Sequence, residues 1–232
     1  MSNYLWPAPA QPSVPVAGDT RAFPVRRIYC VGRNYADHAR EMGMDPVKES
    51  PFFFGKPADA LLADGADFPY PPRSANVHHE VELVVAIGRG GHNIPVAKAQ
   101  EHIFGYAVGN DYTRRDLQKQ SKDTGQPWDT AKGFDHSAGI GAIHPVARIG
   151  HPAHARIWLT VNGSERQHGD IADLIWDVPS IVAELSTYVE LAPGDLVYTG
   201  TPAGVGPVVP GDVVIAGIDG LGTLTHRVRA AS

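Results

Sequence analysis

The sequence predicts an α+β fold that is mostly β, and three observations carry that prediction. Twenty prolines and 25 glycines cut the 232 residues into short segments. Most segments are rich in Val, Ile, Tyr and Trp, side chains that suit a pleated, half-buried surface. Only a few show apolar residues at helical spacing.

Taken in order, strands are expected over 28–31, 80–87, 104–110, 140–143, 156–161, 195–199 and 212–218, each bounded by turn residues. Pro193-Gly194-Asp195 and Pro210-Gly211-Asp212 are tight turns feeding the last two. Helices are expected over 35–42, 95–102, 113–122 and 179–189; the last opens on Pro179 and carries Ile181, Val182, Leu185 and Val189 on one face. Residues 1–24 have weak periodicity and many Pro and Ala, so they read as an extended arm before a single catalytic domain over 25–232.

The formal net charge is -5, and no basic run exceeds the pairs Arg26-Arg27 and Arg114-Arg115, so nucleic-acid binding is not expected. No apolar stretch approaches the roughly 20 residues that span a bilayer, and residues 1–15 lack both a basic and an apolar leader region. A cytoplasmic location without membrane attachment is the expectation. The single cysteine, Cys30, sits in an apolar run and reads as a small core residue.

Strand alternation places Glu80 and Glu82 on one face with Val84. Two partly buried like charges cost several kcal/mol unless protonated or neutralised by a cation. Asp111 follows the apolar run 104–108 and stands where a strand gives way to a helix, a place where function collects. Three carboxylates completed by water suit Mg or Mn and disfavour structural zinc. The same spacing also fits a solvated strand edge, and Asp111 also fits a helix cap.

His38 and Glu41 lie three positions apart on a short helix that follows Gly32, so the carboxylate can orient the imidazole and raise its basicity for work on water. An exposed surface pair has the same spacing. Local spacing does not choose between them.

In order and spacing, five motifs together resemble the fumarylacetoacetate hydrolase family. They are Cys-Val-Gly-Arg-Asn-Tyr-Ala-Asp-His from Cys30 to His38, Glu80 with Glu82, Gly-Asn-Asp-Tyr-Thr-Arg-Arg-Asp-Leu-Gln from Gly109 to Gln118, Ala-Lys-Gly-Phe-Asp from Ala131 to Asp135, and Tyr-Thr-Gly-Thr-Pro-Ala-Gly-Val-Gly from Tyr198 to Gly206. The run from Pro51 to Ala60 and the doubled His78-His79 resemble the members that cleave fumarylpyruvate in gentisate breakdown. The resemblance implies a mixed β-sandwich roll with short flanking helices and a lid helix, usually a homodimer. It implies Glu80, Glu82 and Asp111 as ligands of Mg or Mn, and His38 with Glu41 as a water-activating dyad on the lid. It further implies Lys132 in catalysis, and Arg115, Gln118, Lys132 and Thr201 against the substrate.

Such members hydrolyse a carbon-carbon bond in an acylpyruvate, a small 2,4-dioxo acid. Three carboxylates and one divalent ion leave about -1, and a dioxo diacid adds about -2, so cations are needed; Arg115 and Lys132 are the counterweights, with Lys56 or Arg33 left for the far carboxylate. Lys132 alternatively polarises the attacked carbonyl. Oxaloacetate decarboxylation and isomerisation of a hydroxy-diene dioate suit the same site, and a non-catalytic, metal-stabilised binding module is the reading from another class.

Overall fold

The computed structural model describes residues 4–41 and 50–230. Its main sheet runs in the order Phe52–Lys56, Arg27–Gly32, Asp195–Tyr198, Val81–Ile87, Ile103–Asp111, Ala138–Ile140 and Leu61–Ala63. Asp195–Tyr198 pairs parallel with Arg27–Gly32, and Ala138–Ile140 parallel with Leu61–Ala63; the other pairings along this order are antiparallel, so the sheet is mixed. A second sheet orders Ser164–Asp170, Arg156–Val161, Val213–Ile218, Gly222–Arg229 and Asp67–Pro69. The fold is the mostly β, mixed roll that the sequence leads one to expect.

The central strand Val81–Ile87 is buried along its whole length, which is why its apolar run is continuous instead of alternating. Period-2 geometry still sorts its side chains. Leu83, Val85 and Ile87 join a core shared with Ile157, Leu159, Val214 and Ile218 of the second sheet. Val84 and Ala86 face the other way, into a core with Ile28, Cys30 and Leu196. That second core is roofed by the N-terminal region: Ser13–Pro15 pairs with Ala22–Pro24 as a small antiparallel ribbon, burying Val14, Val16 and Phe23. Part of the expected extended arm is thus sheet, because its few apolar side chains have a sheet face to cover.

The helices depart from expectation at their ends. The first spans Ala36–Glu41, because Tyr35 bridges to Leu174, and Met42 lies outside the described residues. The segment expected as a helix over 95–102 winds as a 3-10 helix, Val96–His102, whose buried residues Ala99 and His102 are three apart and so share a face at three residues per turn. Thr113–Arg114 pairs with Val77–His79, which delays the next helix to Arg115–Thr124, where Gly125 closes it at φ 67°. The last spans Val178–Tyr188, with the Asp177 side chain accepting from Ser180 N at 2.8 Å and Val189 already extended. Among the described residues no helix is long and apolar enough to cross a membrane.

Candidate active site

Strand register brings the acids together. Glu82 lies opposite Gly109 and Val81 opposite Asn110, so the ladder continues to set Glu80 against Asp111, whose N–H donates to the Glu80 carbonyl at 2.8 Å. Asp111, Gly109, Glu80 and Glu82 therefore share one face at the end of a two-strand ladder. Gly109 must lack a side chain, since a Cβ there would sit 2.4 Å from Val84 and 2.7 Å from the Tyr198 ring. One carboxylate oxygen from each of Glu80, Glu82 and Asp111 lies within 4.8 Å of the others, and all three residues are buried. Burial rules out the solvated edge. Asp111 is no helix cap either, because the following helix starts four residues on, without a side-chain cap.

Three ammonium or guanidinium groups close around the acids. Lys132 Nζ donates to Glu80 Oε2 at 2.6 Å and to Asp111 Oδ2 at 2.7 Å. Arg115 bonds Glu80 through Nη2 and Gln118 Oε1 through Nη1 at 2.6 Å. Lys56 Nζ comes to 2.8 Å from Asp111 Oδ1 and also donates to the carbonyls of Tyr112 and Lys132. Sequence reasoning left Lys56 for the far end of the substrate, but its side chain is fully buried beneath Asp111. An ammonium there has acceptors on several sides and no route to the mouth of the pocket.

Electrostatics sort the carboxylates. Burial opposes the charge of Glu80, yet Lys132 and Arg115 overcome it and hold that carboxyl well below the ordinary range. Burial also raises Glu82, and here Asp111 and Glu80 add to it, so its proton is retained well above the usual carboxylate pKa. Burial would lower Lys132, but Asp111 and Glu80 hold it above its ordinary value. A divalent cation fits this set. The donors are hard oxygens, Asp111 Oδ1 is buried without an aligned hydrogen bond, and a doubly positive ion removes the reason for Glu82 to stay protonated.

His38 stands beside this group, 6% exposed, on the short helix Ala36–Glu41 that follows the Gly32-Arg33-Asn34 turn. Asn34 sets the turn: its side chain donates to the carbonyls of Trp176 and Thr199, both at 2.9 Å, and accepts from Trp176 N at 2.7 Å. The His38 ring meets Glu41 Oε2 through Nδ1 at 3.2 Å. An ionised carboxylate only accepts, so Nδ1 carries the proton and Nε2 is left as the basic nitrogen. His38 is buried and Glu41 exposed, so the pair runs from the pocket wall outward to the surface. Burial lowers the His38 pKa, against the pull of Glu80 and Glu41. Neutral imidazole therefore persists to lower pH than in a free histidine, and the acid limb of a rate profile governed by His38 should fall below pH 6.5. An acid limb above that value, in kcat/KM measured from pH 5 to 9, contradicts the assignment.

The loop after Tyr198 ties both groups together. Gly200, at φ 101°, donates its N–H to Glu82 Oε2 at 2.7 Å, and Gly204, at φ 94°, donates to Glu41 Oε2 at 3.3 Å. Both positions need glycine: a Cβ would meet Asn34 at 2.8 Å in the first case and the Arg166 carbonyl at 2.0 Å in the second. Between them Thr201 accepts from Gln167 Nε2 at 2.7 Å.

Gln167, fully buried in an otherwise polar strand, also bonds Pro202 O, His79 Nδ1 and Val81 N, so it clamps the loop to the segment that carries Glu80. Sequence reasoning missed it, since one Gln among Ser, Glu, Arg and His carries no signal. Gln167→Leu should leave several buried groups unpaired and cost about 2–4 kcal/mol. Thermal unfolding should then show a melting temperature lower by roughly 5–15 °C.

Arg33, His38, Glu80, Glu82, Asp111, Arg115, Gln118, Lys132 and Thr201 line one pocket, whose cavity volume of ≈ 30 Å³ is room for an ion or a water. Glu41 lies behind His38 and lines the adjoining mouth. Arg33, at φ 61°, stacks on Phe52 with its guanidinium carbon 4.8 Å from the ring centre. Phe54, Trp128 and Lys122, which sequence reasoning did not single out as lining, complete the wall.

Known proteins share this arrangement of chain. The family model described as Fumarylacetoacetate (FAA) hydrolase C-terminal matches residues 27–229. A crystal structure of fumarylpyruvate hydrolase from Pseudomonas aeruginosa, in complex with Mn2+ and pyruvate, is 53% identical with a TM-score of 0.97, covering 98% of this chain and 100% of that one. Fumarylpyruvate hydrolase from Ralstonia sp is 44% identical over 188 residues, 81% of this chain and 97% of that protein. A mitochondrial oxaloacetate tautomerase from Mus musculus is 42% identical over 204 residues, 88% of this chain and 92% of that protein. The family match spans both sheets and every one of the acids, bases and loop glycines described above, and the chain belongs to the fumarylacetoacetate hydrolase family.

Proposed function

We propose that this chain is a metal-dependent hydrolase that cuts the carbon-carbon bond of an acylpyruvate, with fumarylpyruvate going to fumarate and pyruvate. The observation that carries the reading is His38 lining the same pocket as the three carboxylates, with Nδ1 committed to Glu41 behind it and Nε2 left basic. Hydrolysis needs an activated water beside an electron sink, and these two parts supply them. The fumarylpyruvate hydrolases of Pseudomonas aeruginosa and Ralstonia sp, at 53% and 44% identity, support the substrate.

A divalent ion held by Glu80, Glu82 and Asp111 supplies a doubly positive centre that steadies the negative charge of a keto acid and of its enolate. The chain's own groups do the rest. His38 Nε2 takes a proton from water while Glu41 stabilises the resulting imidazolium, and hydroxide adds to the distal carbonyl carbon. That tetrahedral centre collapses, the bond to the methylene carbon breaks, and its electron pair passes into the pyruvate enolate. His38 returns its proton to the methylene carbon, so one water is consumed and pyruvate and an acid leave. Lys132 and Arg115 keep the potential positive where charge develops, and Thr201 offers a hydroxyl whose orientation Gln167 sets.

Oxaloacetate tautomerisation, the activity named for the mouse relative, is the second reading, since a buried histidine beside the acids can move a proton on a keto diacid without consuming water. Product analysis separates the two. Purified protein with Mn2+ and fumarylpyruvate should release equal amounts of fumarate and pyruvate as the enol absorbance decays. Faster keto–enol exchange of oxaloacetate without any cleavage of fumarylpyruvate would overturn the hydrolase reading.

A further inference from the structure

The cations of the pocket are not equivalent, and one is uncommitted. Lys56 and Lys132 are fully occupied by Asp111, Glu80 and buried carbonyls. Arg115 is held by Glu80 and Gln118. Arg33 lies over Phe52. Lys122 differs: among the described residues, no carboxylate lies within ion-pairing distance of its ammonium and no acceptor bonds it.

Its place is set by helical spacing. Arg115, Gln118 and Lys122 stand at i, i+3 and i+7 of the helix Arg115–Thr124 and so share the face turned to the pocket. The same three residues also line the adjoining mouth with Glu41 and His78, so Lys122 stands where the inner pocket opens outward. Its side chain is half-buried, with Nζ 5.3 Å from the Trp128 ring centre. Burial lowers its pKa, and Arg115 and Arg33 lower it further. Glu80 pulls the other way, and Glu41 and Asp123 also line the mouth, but among the described residues none of these carboxylates pairs with the ammonium, which stands against an aromatic wall open to an anion.

We propose that Lys122 determines specificity at the acyl end of the substrate, its ammonium taking the distal carboxylate of a dicarboxylic acylpyruvate. This rests on the acylpyruvate reading given above. With the keto-acid end drawn to the carboxylate triad and its cation, the far end of an extended 2,4-dioxo diacid points toward the mouth. Phe54 and Trp128 provide flat walls for an unsaturated chain, and Lys122 supplies the charge at its end. A substrate ending in a methyl group gains nothing from that ammonium.

The test compares kcat/KM of Mn2+-loaded wild type and Lys122→Met for fumarylpyruvate and for acetylpyruvate. The ratio of the two should fall about 10- to 100-fold in the variant, chiefly through KM for fumarylpyruvate, and Lys122→Arg should restore part of it. A ratio unchanged within about twofold overturns the assignment. Should wild type cleave neither compound, the acylpyruvate reading fails, and the subsite is then judged by calorimetric titration of fumarate into the Mn2+- and pyruvate-saturated protein. Binding at least about tenfold weaker to Lys122→Met supports the assignment, and equal or undetectable binding to both proteins overturns it.

Discussion

Glu82→Gln should abolish measurable Mn2+ binding and lower turnover by about 1000-fold, the loss expected when the charge stabilisation of a bound ion disappears. The substitution keeps the shape of the side chain and an oxygen for the Gly200 N–H, which now donates to Glu82 Oε2 at 2.7 Å. It removes only the charge. In the metal-free protein that charge is unwelcome, because burial, Asp111 and Glu80 all favour the protonated form. The metal-free variant should therefore melt no lower than metal-free wild type, which separates a lost ligand from a damaged fold. Linkage gives the pH sign: a carboxyl raised in the folded state stabilises fully below its ordinary pKa and loses that contribution as pH climbs through the raised value. Metal binding must expel the same proton, so affinity should rise with pH in wild type. Isothermal titration that finds Mn2+ bound to Glu82→Gln as tightly as to wild type would remove Glu82 from the ligand set.

His38→Ala should reduce kcat by about 100- to 10000-fold while leaving Mn2+ affinity within about twofold, the range expected for loss of a general base. Glu41→Gln is the subtler probe. The amide oxygen still accepts from His38 Nδ1, so ring orientation survives, but no charge remains to stabilise the imidazolium. A fall of about 10- to 100-fold in kcat with little change in KM is expected. The Gly204 N–H bond to Glu41 should persist through the same oxygen. Strong metal loss in either variant, with unchanged turnover per bound metal, would place the pair in structure and not in chemistry.

How much of this was legible in the sequence depends on what kind of signal each part leaves. The acids were legible because a charged pair at strand spacing, running straight into a buried apolar stretch, breaks an otherwise uniform pattern at Glu80 and Glu82. Asp111 was legible from its place at a strand end. Their convergence was not, because it follows from the pairing of Glu82 with Gly109, a register that only the folded ladder defines. Strand Phe52–Lys56 escaped because it forms a sheet edge with Phe52, Phe53 and Phe54 all half-buried, leaving no alternation to read. Gly222–Arg229 does alternate, with Leu224, His226 and Val228 buried, but a histidine in a core position disguises the pattern. Lys56 and Gln167 act by long-range contacts to Asp111 and to His79, for which no local spacing exists.

Anomalous diffraction from a crystal of the protein soaked in Mn2+ should show one dominant peak enclosed by oxygens of Glu80, Glu82 and Asp111, with Lys132 Nζ displaced from at least one of the acids it now bridges. A fully soaked crystal in which those three side chains keep their present bonds and no peak lies among them would contradict a metal site at these acids.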